Sequence, residues 1–359
     1  MAPSTIKTRV LIISDTHNAP LQEEQGKRKP AAPFKCPLPS ADLLIHCGDL
    51  TMTGQLDEYH QTLDMLRAID APVKLVIPGN HDLSLDRDWV SSHASTDPQN
   101  RQPHPLTASQ ADSRVNAARD LWTSPSGRAQ AEGITFLDEG LHRIPLRNGA
   151  VANVYASPYT PEFFDWAFPY ERHEDRFNGP GTSLSDAVSI APYPLPTRSK
   201  VNHPVDLVVT HGPPWGRLDW TATGERVGCT HLLRGLMRAR PAVCCFGHIH
   251  EGWGAERVRW AEGAEGVPGK ACGTGEWKGG AWREGVEGGE EGVERVKVVG
   301  EDVVRDHAAF VDISREGGRG IEPGDETLLV NAAIMDVQYR PVNAPWIVDM
   351  DLPSEDAEL

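Results

Sequence analysis

The 359-residue chain is poor in the features that mark secreted or membrane proteins. Its six cysteines (Cys36, Cys47, Cys229, Cys244, Cys245 and Cys272) form no CxxC pair and no ordered framework. Cys47, Cys244 and Cys245 lie inside apolar runs, the pattern of buried reduced thiols that serve packing. No run approaches the ~18 consecutive apolar residues that a spanning helix needs. The opening MAPSTIKTRVLIISDTH has no basic-then-apolar leader design, so a soluble cytoplasmic protein is expected. Positive charge is also scarce: 35 Lys and Arg against 51 Asp and Glu leave a net charge of -16 at pH 7. Affinity for nucleic-acid polymers comes chiefly from Lys and Arg neutralising phosphates, so a polymer partner is not expected. An acidic protein can still hold a small phosphate ester if a metal ion supplies the positive charge.

What is present is a core. Apolar residues make up 39% of the chain, enough for one or two domains without a stabilising disulfide. Five short apolar runs end in Gly, Asp, Asn or His: RVLIISDTH (9–17), ADLLIHCGDL (41–50), VKLVIPGNHD (73–82), VDLVVTHGPP (205–214) and AVCCFGHIH (242–250). Leu56, Tyr59, Leu63, Leu66 and Ile69 recur at helical spacing between the second and third runs, and GCTHLLRGLMRAR (228–240) reads as a helix before the fifth. Continuous apolar strands alternating with helices predict an α/β fold with a parallel or mixed sheet under helical cover. Residues 18–40 and 91–113 are polar and Pro-rich and read as loops, and 172–200 as irregular chain. The Gly- and Glu-dominated stretch 261–295 reads as a surface insertion, with regular structure resuming at TLLVNAAIM (327–335) and PWIVDMDLP (345–353).

Each of the five runs ends in potential metal ligands. The first carries Asp15 and His17, two apart, a spacing that on a strand puts both side chains on one face. The others carry Asp49, then Asn80, His81 and Asp82, then His211, then His248 and His250. In open α/β sheets ligands gather beyond the carboxyl ends of the strands. Two carboxylates, one amide and several imidazoles form a mixed oxygen–nitrogen set that suits Mn²⁺, Fe or Zn²⁺ rather than Ca²⁺. Two such ions ~3.5–4 Å apart lower the pKa of a bridging water and grip a phosphoryl oxygen. His46, inside the second run, reads as a core histidine.

The series DTH…GDL…GNHD…THGPP…GHIH resembles the calcineurin-like metallophosphoesterase family. SPYTPEFFDWAF (157–168), RVGCTHLL (226–233), CFGHIHEGWG (245–254) and VNAA (330–333) are similar to a subfamily of small metallophosphoesterase-domain proteins with vertebrate, bacterial and fungal members. The resemblance implies a four-layer sandwich of two mixed β-sheets flanked by helices. It implies a single domain over 8–353, with 255–325 as a surface insertion. It assigns one divalent ion to Asp15, His17, Asp49 and His250, and a second to Asp49, Asn80, His211 and His248, with Mn²⁺ the first candidate. His81 is implied as general acid, protonating the leaving group that a metal-bridging hydroxide displaces, and Asp82 as the residue orienting its imidazole. Asp82 reads equally well as a helix N-cap. Trp166, Trp215 and Arg217 are the candidates for substrate contact, the tryptophans by stacking on a nucleobase and Arg217 by pairing with phosphate. The expected activity is a di-metal phosphodiesterase acting on small phosphate esters such as cyclic and other nucleotides. The alternatives are a phosphomonoesterase or protein phosphatase, and a weakly active nucleotide-binding protein.

Overall fold

Strands that are apolar at every position need cover on both faces, and the structure supplies it in four layers. A computed structural model describes residues 4–21, 33–96, 103–184, 186–198, 204–261, 277–278, 281–282 and 290–355. Among the described residues, thirteen strands build the two large sheets. In chain order they are β1 (Thr5–Ile13), β2 (Leu43–His46), β3 (Val73–Val76), β4 (Ile134–Phe136), β5 (Gly140–Pro145), β6 (Val151–Ser157) and β7 (Leu207–Thr210). They continue as β8 (Val243–Phe246), β9 (Gly254–Trp260), β10 (Glu290–Arg295), β11 (Ala309–Asp312), β12 (Glu326–Asn331) and β13 (Trp346–Pro353). The first sheet has the order β11-β13-β1-β2-β3-β4, the second β10-β9-β12-β8-β7-β6-β5. Strands β1 to β4 are mutually parallel, as are β6, β7, β8 and β12. The antiparallel pairs join β13 to β1 and put β5, β9 and β10 toward the edges of the second sheet.

Strand alternation sorts the side chains between layers. Val10, Ile12, Leu43, Ile45 and Leu75 of the first sheet meet Val154, Leu207, Val209, Val243, Cys245 and Val330 of the second in a shared inner core. The outward set Leu11, Ile13, Leu44 and Val76 packs under helices α1 (Leu56–Arg67) and α2 (Ala108–Thr123) through Tyr59, Leu63, Leu66 and Trp122. Val208, Cys244, Phe246 and Leu329 pack under helix α3 (Thr230–Ala239) through Leu232, Leu233, Leu236 and Met237. Cys47, Cys244 and Cys245 are fully buried free thiols. No helix among the described residues is long and apolar enough to cross a membrane.

Two expectations change and a third is qualified. Residues 91–113 are not loop throughout, because α2 begins at Ala108, capped by Thr107 and Gln110. Its buried stripe of Ala111, Val115, Ala118 and Trp122 carries too little apolar bulk to stand out in sequence. Residues 172–184 and 186–197 have little regular structure, as expected, but do not wander: Arg238 of α3, itself buried, donates to Asn178 Oδ1 at 2.6 Å and to Leu195 O at 3.2 Å, while Asn178 donates to Asp175 at 2.8 Å. The insertion expected at 255–325 does not hold at its ends, since 255–260 belong to β9 inside the second sheet and Ala309–Asp312 forms β11 of the first. Most of its Gly/Glu-rich centre, 262–276 and 283–289, lies outside the described residues.

Two stability measurements test this packing. Leu236 is fully buried between α3 and the second sheet, so Leu236→Ala should cost ~2–5 kcal/mol in urea unfolding with little change in the m-value. His46 is fully buried, its Nε2 2.8 Å from Thr16 Oγ1, and burial holds its pKa down to about 3. The unfolded chain therefore binds a proton on His46 below its ordinary pKa of ~6.5 while the folded one does not, so this contribution to stability is lost as pH falls from ~6.5 toward about 3. His46→Gln should remove about 2 kcal/mol of the difference in unfolding free energy between about pH 7.5 and pH 5. An unchanged difference would place the acid sensitivity elsewhere.

Candidate metal centre

The strands stop short of the site, and tight turns carry the functional side chains the rest of the way. β1 ends at Ile13, after which Asp15 (φ 54°), His17 (φ 44°) and Asn18 (φ 52°) adopt left-handed backbone. Asp49 (φ 54°) does the same after β2, and His248 (φ 66°) after β8. Asp15 and His17 thus converge through a turn rather than through strand alternation, and His250 opens a separate 3₁₀ turn, His250–Gly252. Left-handed φ costs a non-glycine residue ~1–3 kcal/mol and persists only where neighbours over-determine it. Here the first two turns are laced together: Asp15 N donates to Gly48 O (2.9 Å), His17 N to Asp49 O (3.0 Å) and Asn18 N to Leu50 O (2.9 Å).

Glycine sets how closely these turns approach. A Cβ on Gly247 would overlap the carboxylate of Asp15 and the side chain of Ser14, and one on Gly79 would overlap Asp49 and His211. With no side chain there, the His248 N–H reaches the Asp15 carboxylate at 3.0 Å and the His81 N–H reaches Asp49 Oδ1 at 2.9 Å.

The structure brings together Asp15, His17, Asp49, Asn80, His81, His211, His248 and His250. Among the described residues three sets offer ligand atoms within 4.8 Å of one another: Asp15, His17 and His250; His17, Asp49 and His81; and Asp15, Asp49 and His211. His211 Nε2 lies 2.8 Å from Asn80 Oδ1 and 3.3 Å from Asp49 Oδ1. His250 Nε2 lies 3.4 Å from Asp15 Oδ1, and His17 Nε2 3.5 Å from Asp49 Oδ2. The His248 ring packs 5.0 Å from that of His211 and lies edge-to-face with Phe163 at 6.5 Å. Ile249, between the two histidines, is buried.

Four imidazoles are oriented in the same way. Nδ1 of His17 donates to Thr51 O (3.1 Å), of His81 to Met52 O (2.8 Å), of His211 to Cys47 O (2.9 Å) and of His250 to Asp336 O (3.0 Å). A carbonyl only accepts, so Nδ1 carries the proton and Nε2 is turned to the centre. This is the outer hydrogen bonding by which metal-ligating histidines are held. His17 Nε2 is buried with no hydrogen-bond partner. A buried lone pair of that kind, facing two carboxylates, fits a cation.

The charges balance within the site. Burial opposes ionisation of Asp15, but its contacts with His250 and His211 bring it down to about 2, and His211 and His81 hold Asp49 well below the usual carboxylate range despite its burial. Burial likewise opposes protonation of His211 and His250, yet Asp49 and Asp15 raise each to about 9. His17 and His248 are dominated by burial, which holds them down to about 4 and about 3. Two carboxylates and two imidazolium groups thus compensate one another. A divalent cation entering among them displaces protons, so its affinity weakens as pH falls.

The remaining candidates part company. Trp166 stacks on the His81 ring, centroids 3.9 Å apart at 26°. Asp82 does not orient that imidazole, and its side chain caps no helix. Its carboxylate accepts from Leu50 N (3.1 Å), Thr51 N (3.0 Å), Thr51 Oγ1 (2.7 Å) and Gly79 N (2.8 Å), tying the turn after β2 to the turn after β3. Burial and the nearby Asp49 push it up to about 7 even so. Arg217 sits 3.5 Å from Glu256 of β9, and Trp215 lies near the Arg226 guanidinium (5.6 Å), both in the loop after β7. Tyr339 joins the site without any signal in the sequence. Its ring lies 4.8 Å from His17 and 5.7 Å from His250, carried by a turn at φ 56° that Asp336 braces through Gln338 N and Arg340 N. No local pattern distinguishes that tyrosine from a surface one.

The calcineurin-like phosphoesterase model matches residues 8–252, a span that includes Asp15 through His250. Among curated proteins, a probable rhamnogalacturonate lyase C of Emericella nidulans is 31% identical over 70% of this chain, but over only 18% of its own length. Human metallophosphoesterase domain-containing protein 1 is 29% identical over 69% of this chain and 62% of its own, and a UPF0046 protein of Caenorhabditis elegans is 29% identical over 60% and 48%. The chain therefore spans less than two thirds of each of these relatives. Among solved structures, the protein TT1561 of Thermus thermophilus matches at 13% identity with a TM-score of 0.36, covering 72% of this chain and 87% of that one. Purple acid phosphatase PPD1 from yellow lupin matches at 10% identity with a TM-score of 0.34, covering 97% and 54%. With the family match running over more than half of the sequence and through the turns that build the centre, the chain belongs to the calcineurin-like phosphoesterase family.

Proposed function

We propose that the chain is a metal-dependent phosphodiesterase acting on small phosphate esters, with cyclic and other nucleotides the first substrates to examine. The observation that carries this reading is the convergence of Asp15, His17, Asp49, Asn80, His211 and His250, with four Nε2 atoms turned inward and the Nε2 of His17 left without a hydrogen-bond partner. Asp15, His17, Asp49 and His250 would hold one divalent ion, and Asp49, Asn80, His211 and His248 a second, with Asp49 shared. Mn²⁺ is the first candidate and Fe or Zn²⁺ the alternatives. Bound there, such a pair would acidify water and offset charge developing on the phosphoryl group.

The protein's own part is positional and acid–base. His81, fixed by Met52 O at Nδ1, would deliver the Nε2 proton to the departing oxygen as the P–O bond to the leaving group breaks. Tyr339, Phe163 and Phe164 are exposed around the histidines and give a nucleoside or other ring-bearing ester an apolar surface. Arg217 is engaged with Glu256, so phosphate binding is assigned to the centre rather than to that guanidinium. The acidic balance of the chain and its compact centre favour a small ester over a polymer.

Elemental analysis of protein purified with Mn²⁺ should find about two ions per chain, and Asp49→Asn should fall below about one because both sites share that carboxylate. A panel of phosphodiesters and phosphomonoesters assayed with Mn²⁺ should show turnover greatest on diesters; faster monoester hydrolysis would reverse the assignment. His81→Ala should keep its metal and lose ~10²–10⁴-fold in kcat on alkyl diesters, with a much smaller loss on a nitrophenyl ester whose leaving group needs no proton. Equal rates in variant and parent on the alkyl diester would remove His81 from the chemistry.

A further inference from the structure

Trp166 does not have a free face toward the centre: the imidazole of His81 already covers it, 3.9 Å away and at an interplanar angle of 26°. A single hydrogen bond at Nδ1 leaves an imidazole able to swing about that bond. His81 has such a bond, to Met52 O, and two further rings crowd it. The Trp166 indole lies against one face, and the edge-on His17 ring stands 4.7 Å away at 84°.

The loop that carries Trp166 is tied to the chain segment that carries His81. Ala167 N donates to Asn80 O at 3.1 Å and Phe168 N to Asp86 Oδ2 at 2.6 Å. Asp165 O accepts from Trp89 Nε1 at 2.8 Å, and Asp165 Oδ2 lies 2.8 Å from His93 Nε2, whose ring stacks on Trp89. Residues on both sides of Trp166 are thus fixed to the segment from Asn80 to His93.

We propose that Trp166 is a positioning residue for His81, clamping the imidazole so that its Nε2 is aimed at the leaving group, rather than a platform for substrate. This rests on the reading of His81 as proton donor. A misaimed acid costs turnover only where the leaving group needs its proton, so the inference has a signature that loss of packing lacks.

The test measures Trp166→Leu, Trp166→Phe, Asp165→Ala, His81→Ala and the double variant on an alkyl and a nitrophenyl phosphodiester, with metal content checked for each. Trp166→Leu is expected to lose about tenfold or more in kcat on the alkyl ester, with KM and the nitrophenyl rate within about threefold of the parent. Trp166→Phe, which keeps a stacked face, should recover most of the loss. Asp165→Ala, whose side chain is exposed, should show the same leaving-group dependence at smaller amplitude and serves if the leucine variant does not fold. In the His81→Ala background Trp166→Leu should cost nothing further. In metal-free protein, the His81 ring proton, assigned by its absence in His81→Ala, should move downfield in Trp166→Leu as the indole ring current is lost.

Parallel losses on both esters, additive losses in the double variant, an unmoved ring proton, or a rise confined to KM would each overturn the inference, the last in favour of a substrate platform. If His81→Ala itself shows no leaving-group dependence, the proton-donor reading fails first and the inference falls with it. A leaving-group effect in His81→Ala but not in Trp166→Leu or Asp165→Ala sinks the inference alone.

Discussion

Two carboxylates, Asp15 and Asp49, are buried where the carboxyl ends of both sheets meet, and the architecture of the site follows from having to keep them charged. An ionised group removed from water costs several kcal/mol unless paired and hydrogen-bonded. Asp15 meets this through His250 and the His248 N–H, and Asp49 through His211 and the His81 N–H. Those partners must come within reach from both sheets at once, which requires the close approaches at Gly79 and Gly247 and the left-handed turns that follow the strands. Four of the imidazoles, His17, His81, His211 and His250, are anchored at Nδ1 by carbonyls of neighbouring turns, which leaves each Nε2 directed at the centre.

The sandwich divides the work. The first sheet delivers Asp15, His17, Asp49, Asn80 and His81, while the second delivers His211, His248 and His250. A bridge between Ser14 and Ala333, with Ile334 N donating to Ser14 O at 3.1 Å, joins the two halves beside the centre. Asn331, at the end of β12, steadies the other side by donating to Ile249 O at 2.8 Å. Residues beyond these ligands then act on them: Asp82 ties two turns, Asp336 presents its carbonyl to His250, and Trp166 and Tyr339 pack against the imidazoles. A centre built this way combines a dense internal electrostatic balance with exposed aromatic side chains, Phe163 and Tyr339, beside its histidines.

Much of this is legible in the chain. The five apolar runs are the strands β1, β2, β3, β7 and β8, since a strand buried on both faces must be apolar throughout, and each ends where a donor group follows. The two-residue spacing of Asp15 and His17 suggests strand alternation, yet both lie beyond the strand, and a left-handed turn, not the pleat, brings them together. Helix α2 leaves little trace because alanine supplies much of its buried face, and β9 is obscured by the Gly- and Glu-rich stretch beside it.

Local pattern alone determined five of the strands, two of the covering helices and the candidate donor groups, because burial on two faces and the need for oxygen and nitrogen ligands both leave local traces. Only the tertiary structure decided that Trp166 covers His81, that Asp82 binds backbone instead of imidazole, that Arg217 pairs with Glu256, and that Tyr339 reaches the centre. These depend on how loops distant in sequence are laid across one another, and a side chain's partner in that arrangement is set by three-dimensional proximity that no short window of residues encodes.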